Sequence, residues 1–126
     1  MKLVYQRQRG DCLIAAIATV AGVSWSNVKL YVADTRYGLD RTQTKRLLRA
    51  FQISHVYSMP HSQPDAAEWA SRHPRETAIL IVRFVRQAKY DHAVIAHRGK
   101  IFDPNRKAKN HKCKVIEIFR LCYRIN

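Results

Sequence analysis

The sequence predicts an α+β domain, and three observations carry that expectation. The first half reads helical, with cap residues and apolar positions gathered on helix faces. The second half turns to β-branched and apolar runs separated by turn residues. Helices first and strands after favour helices packed on an antiparallel sheet over an alternating parallel layout.

The elements follow in order. Residues 12 to 21, Cys-Leu-Ile-Ala-Ala-Ile-Ala-Thr-Val-Ala, are apolar on every side, which predicts a buried helix stopped by Gly22. Ser24 caps a second helix over about 25–33. Asp40 with Gln43 three residues on has the form of a capping box and opens a helix to about Phe51. On it Leu39, Leu47, Leu48 and Phe51 share one side. Arg41, Lys45 and Arg49 form a stripe on the other, read as a solvated face. A short strand is expected over 53–59. Pro64 starts a helix carrying Trp69 that ends before Pro74. Residues 77–85 make a central strand. Strands over 92–97 and 100–103 are joined by a tight turn at Arg98-Gly99, and 115–125 is a last, mostly apolar strand. The first helix is expected to pack on the sheet that carries His92.

Bulk properties narrow the function. A chain of 126 residues has room for one real core. No apolar stretch is long enough for a membrane span, and the N-terminal residues lack a signal peptide's apolar centre. Three sparsely placed cysteines argue against a disulfide framework and for a reducing, cytoplasmic setting. The net charge of +14 favours acidic partners. The positive charge has two concentrations. One holds Arg36, Arg41, Lys45, Arg46 and Arg49; the other runs from Arg98 and Lys100 through Arg106, Lys107, Lys109, Lys112 and Lys114.

Four residues carry a chemistry: Gln6, Cys12, His92 and Asp103. A cysteine attacks as thiolate, and a helix N-terminus with a neighbouring His favours that form. Cys12 stands where the buried helix begins. His92 needs an acceptor on its second ring nitrogen to fix its tautomer. With Arg98-Gly99 as the turn, Lys100 pairs with His97 and Asp103 with Val94, so His92 and Asp103 become diagonal neighbours. The Cys12 amide supplies one oxyanion donor and the Gln6 side chain a second. His97 is a rival base and Gln8 a rival donor; chain order and spacing favour His92 and Gln6.

The stretch Gln6-Arg-Gln-Arg-Gly-Asp-Cys12, the small-residue helix after it, His92 opening a strand and Asp103-Pro104 on the next resemble papain-like cysteine peptidases of the C39, bacteriocin-leader-processing type. Gly38-Leu39-Asp40 leading into Lys45-Arg46-Leu47-Leu48 resembles that family's second helical region. The resemblance implies one papain-like domain over 1–126. It also implies Cys12 as nucleophile, His92 as general base, Asp103 as its orienting group and Gln6 as oxyanion donor. The same constellation serves deamidases and acyltransferases.

The remaining features set partners. His111-Lys-Cys113 lacks a second ligand pair, so neither a metal nor a cofactor is expected. Arg106, Lys107, Lys109 and Lys112 follow Asp103 directly and are expected to rim the site and select an acidic protein or peptide. Nucleic acid stays open as a partner. The rival reading is a binding module of weak or lost catalysis whose basic surface takes nucleic acid or an acidic protein.

Overall fold

In the computed structural model of this chain the described residues are 1–34, 38–84, 87–106 and 112–122. Among them are helices α1 (Cys12–Ala21), α2 (Trp25–Lys29), α3 (Arg41–Ala50) and α4 (Ala66–Arg72). The strands are β1 (His55–Ser58), β2 (Thr77–Phe84), β3 (Gln87–His97), β4 (Lys100–Phe102) and β5 (Cys113–Leu121). They form one antiparallel sheet in the order β1-β5-β2-β3-β4, so the class is α+β.

The helices start and stop for local reasons. Leu13 to Val20 of α1 are all buried, and Gly22 closes the helix at φ 70°, where its amide returns to the carbonyls of Ala18 and Thr19. Ser24 caps α2 by accepting from the Asn27 amide. That helix ends at Lys29, short of the expected residue 33. The Tyr31 and Val32 amides reach only three residues back, to Val28 and Lys29, and the chain tightens out of the α-helix. The α3 capping box forms in both directions, Gln43 N to Asp40 Oδ1 at 2.8 Å and Asp40 N to Gln43 Oε1 at 2.9 Å. In Asp40→Ala, α3 loses that cap, and the protein is expected to lose about 1 kcal/mol and a few degrees of Tm in thermal unfolding. An unchanged Tm would mean that packing alone holds the helix. The fourth helix begins at Ala66 rather than Pro64, because the Asp65 carboxylate caps the amides of Ala67 and Glu68.

The central strand is β2, and its residues from Thr77 to Val82 are buried. Residues alternate between two faces. Ile79, Ile81, Ala93, Ile95 and Phe119 pack with α1, α2 and α3 residues; Leu80, Val82, Val94, Val115 and Ile118 pack with Ala66, Trp69 and Ala70 of α4. The sheet is thus a middle layer, with α1 packed on one face as expected and α4 on the other. The first strand begins at His55 instead of residue 53, since the Ile53 amide still bonds Leu48 O and Gln52 takes φ 59° at the end of α3. The last strand starts two residues early, at Cys113; its expected residues 123–125, and Val85 of β2, lie outside the described residues.

Two irregularities shape the site. The hairpin has the expected register, His97 opposite Lys100, with Arg98 at φ 51° and Gly99 at φ 79° in the turn. The β3–β4 ladder stops at Ile95 opposite Phe102. His92 does not open β3 but lies within it, because β3 runs on along β2 back to Gln87; it lies beyond the reach of β4, where one edge of the strand is uncovered. On β5 the register shifts so that Ile81 faces Glu117 and Val82 faces Val115. This bulge turns Glu117 to the α1 side of the sheet.

Candidate active site

The uncovered edge of β3 is filled by Asp103, which follows β4. His92 Nε2 lies 2.6 Å from Asp103 Oδ1, and the same oxygen accepts from the Asn105 amide at 2.8 Å. The imidazole also stacks on Phe84, with centroids 5.7 Å apart. A ring held at one nitrogen and one face has a fixed orientation. Since Nε2 belongs to Asp103, Nδ1 is the nitrogen left for Cys12, with which His92 also interacts. Burial by itself would lower the His92 pKa. Hydrogen bonds to Asp103 and Cys12, and the negative charge of both, outweigh it and raise the value to about 9.

Cys12 is half-buried at the first position of α1. The residue before it, Asp11, holds the N-cap position yet makes no cap bond. Its carboxylate, 0% exposed, turns back instead. Oδ2 accepts from Arg7 N at 2.7 Å, Gln8 N at 3.1 Å and Trp25 Nε1 at 2.7 Å. The first amides of α1 are thus left without a side-chain acceptor, and they favour negative charge at the Cys12 end. Gly10 makes the turn into the helix at φ 80°.

Gln6 reaches the same place through its backbone, whose amide donates to Pro104 O at 2.9 Å. That bond ties the N-terminal segment to the loop carrying Asp103. Oε1 of Gln6 is buried without a hydrogen-bond partner, and the side chain lines the cleft beside Cys12. Gln6, Cys12 and His92 all line one cleft of about 940 Å3. Its floor is apolar, with Ile81, Ala93 and Phe119 of the sheet against Leu13 and Leu39. Its rim holds Arg9, Gly38, Asp40, Arg41, Asp91 and Glu117.

The rivals sit elsewhere. His97 is buried, bonds Thr77 Oγ1 through Nδ1 at 2.7 Å, and has its pKa lowered by burial, by Arg98 and by the N-terminal amine. Gln8 is exposed and contributes its backbone amide to Asp11. Cys113 is a buried thiol pushed up to about 11 by burial and by the charges of Asp65 and Asp103; Cys122 is exposed at the end of β5.

The basic residues expected around the site are placed differently. Arg106 is exposed and lies over the Tyr5 ring at 4.2 Å, and Lys112 is exposed just before β5. Neither lines the cleft. Lys107, Lys109, His111 and Arg36 lie outside the described residues. Among the described residues the arginines lining the cleft are Arg9, within the Gln6-to-Cys12 stretch, and Arg41, of the basic stripe; neither was expected at the site. Arg41 and Lys45 are not simply solvated: both cations lie over the Tyr57 ring at 4.6 Å.

No family model matches the chain, and no curated protein sequence matches it. Among the described residues no group of His, Cys, Asp and Glu side chains is arranged to hold a metal ion. No helix among them is long and apolar enough to cross a membrane.

Proposed function

We propose that this chain is a cysteine hydrolase of the papain-like kind, acting on an acyl bond of a protein or peptide. The observation that carries the reading is the relay from Asp103 through His92 to Cys12, at a helix start that opens on a cleft. In this mechanism the Cys12 thiolate attacks a substrate carbonyl and forms a carbon–sulfur bond. The amide of Cys12 and Nε2 of Gln6 stabilise the oxyanion. The tetrahedral adduct collapses with expulsion of the amine, which takes its proton from the His92 imidazolium. Neutral His92 then draws a proton from water, whose oxygen attacks the thioester, and Cys12 is released. Asp103 keeps Nδ1 of the imidazole directed at sulfur and stabilises its positive charge.

Deamidases and acyltransferases would use the same steps with a different leaving group or acceptor. An apolar floor of Ile81, Phe119 and Leu39 favours an apolar substrate side chain near the scissile bond.

The test is a burst experiment with p-nitrophenyl acetate. About one equivalent of nitrophenolate should be released fast, and mass spectrometry should find the acetyl group on Cys12. Cys122→Ala should keep the burst and Cys12→Ala should lose it. A burst that persists in Cys12→Ala, or an acetyl group found mainly on another residue, would end this reading.

A further inference from the structure

The cleft continues onto a basic ridge along α3. Arg41 lines the cleft at the start of the helix. Lys45 and Arg49 follow one and two turns along, with Arg46 beside them. Arg41, Arg46 and Arg49 are exposed and Lys45 is half-buried. The helix itself contains no acid; Asp40, just outside it, is committed to the cap.

Among the described residues only the first of these charges is answered by an acid, while Lys45 lies over the Tyr57 ring. Arg41 pairs with Glu117 at 3.1 Å, and Glu117 also accepts from the Tyr57 hydroxyl at 2.5 Å. Lys45, Arg46 and Arg49 have no ion pair among the described residues. Like charges at i, i+3 and i, i+4 destabilise a helix by a few tenths of a kcal/mol per pair. A basic residue in the last turn helps the helix dipole, which accounts for Arg49. It does not account for Lys45 and Arg46, nor for Arg41 at the mouth of the cleft. Beyond the Arg41–Glu117 pair and the two cations over Tyr57 the fold gains nothing from this arrangement; an acidic ligand would.

The kind of ligand follows from what flanks the ridge. Single-stranded nucleic acid binds basic grooves that also offer free aromatic faces for stacking. Of the rings near this ridge, Tyr57 beneath it is already covered by Arg41 and Lys45, and Tyr31, exposed past the end of α3, is turned edge-on against Phe51. From Arg41 to Arg49 the ridge is about 12 Å long, the span of roughly four residues of extended peptide. It is also continuous with the cleft through Arg41 and the α3 start.

We infer that the α3 ridge of Lys45, Arg46 and Arg49 is a docking surface for an acidic segment of the polypeptide substrate, a few residues from the bond held at Cys12. This rests on the hydrolase reading of the cleft and adds a substrate class to it. An apolar residue enters the cleft, and Asp or Glu residues lie along the helix beside it.

The experiment measures fluorescence anisotropy of labelled octaglutamate at low salt. It compares the wild-type chain, the triple variant Lys45→Gln/Arg46→Gln/Arg49→Gln, and a charge-matched control, Lys2→Gln/Arg75→Gln/Lys100→Gln. The control residues are exposed and lie off the ridge. The ridge variant should weaken binding at least about tenfold and the control by less than about twofold. Equal losses in the two variants would mean that only net charge matters and would overturn the proposal. So would octathymidylate binding more tightly than octaglutamate with the same dependence on the ridge, which would make the surface one for nucleic acid. If the triple variant melts early, Arg46→Gln/Arg49→Gln repeats the test on the two exposed residues. Binding needs no thiol chemistry and p-nitrophenyl acetate carries no acid. A failed burst therefore speaks against the hydrolase, and a failed anisotropy comparison speaks against the ridge.

Discussion

In His92→Ala, alkylation of Cys12 by iodoacetamide near pH 6 is expected to slow about tenfold, and acyl turnover at least about a thousandfold. The two numbers differ because they read different things. A thiol of ordinary pKa, about 8.5, is roughly 0.3% ionised at pH 6, whereas a thiolate paired with an imidazolium is mostly ionised there. That advantage of about 300-fold is cut roughly twentyfold by the lower nucleophilicity of a less basic sulfur. Turnover also loses the proton donor for the leaving amine, which alkylation never uses. The pH dependence is equally specific. His92 keeps its proton up to about pH 9, so the gap between wild-type and His92→Ala alkylation should be widest near pH 6 and close towards pH 9. Turnover, which needs the imidazolium, should fall as pH rises through about 9. The same raised value stabilises the fold below the ordinary pKa of about 6.5, and that contribution is lost as pH rises through about 9. Identical alkylation profiles in the two proteins would mean that Cys12 is an ordinary thiol beside a structural histidine.

What could be read from the sequence was mostly local. The Asp40–Gln43 box, the Ser24 cap and the Gly22 stop each depend on residues within a turn of one another, and all three form as read. The Arg98-Gly99 turn set the register that places Asp103 near His92, because a two-residue hairpin leaves little freedom in pairing. Non-local facts stayed out of reach. That His92 lies within β3 follows from the strand's pairing with β2 back to Gln87, and no motif marks where a ladder starts. Glu117 reaches the cleft through a bulge set by β2 and β5 together. Arg9 and Arg41 at the rim carry no signature, since a surface arginine reads the same on any face. The density of basic residues after Asp103 drew attention to Arg106 and Lys112, which do not line the cleft.

Asp11 shows how far a residue's identity can differ from its role, and it carries the second large prediction. An acid in front of a helix reads as an N-cap. Here the carboxylate leaves the helix uncapped and gathers Arg7 N, Gln8 N and Trp25 Nε1 instead. Hydrogen bonds to a buried charge contribute about 1.5–3 kcal/mol each. Against them stands the cost of a buried carboxylate whose Oδ1 has no partner. Asp11→Ala removes that cost too, so the net loss is expected to be about 3 kcal/mol, or roughly 10 °C in Tm. Asp11→Asn keeps an acceptor for the three donors and should lose less than half as much. Hydrogen exchange should separate this from a general loosening. The amides of Arg7 and Gln8 should lose protection in Asp11→Ala, while those of β2 and β5 keep their order of protection. A Tm within about 2 °C of wild type would show that Trp25 and the N-terminal segment hold themselves. The consequence for the site is direct. The segment fixed by Asp11 carries Gln6 on one side and Cys12 on the other. A carboxylate that turned to cap α1 would occupy the amides that a thiolate or an oxyanion needs. Burying the charge backwards costs stability at its orphaned oxygen and leaves the start of the helix open for chemistry.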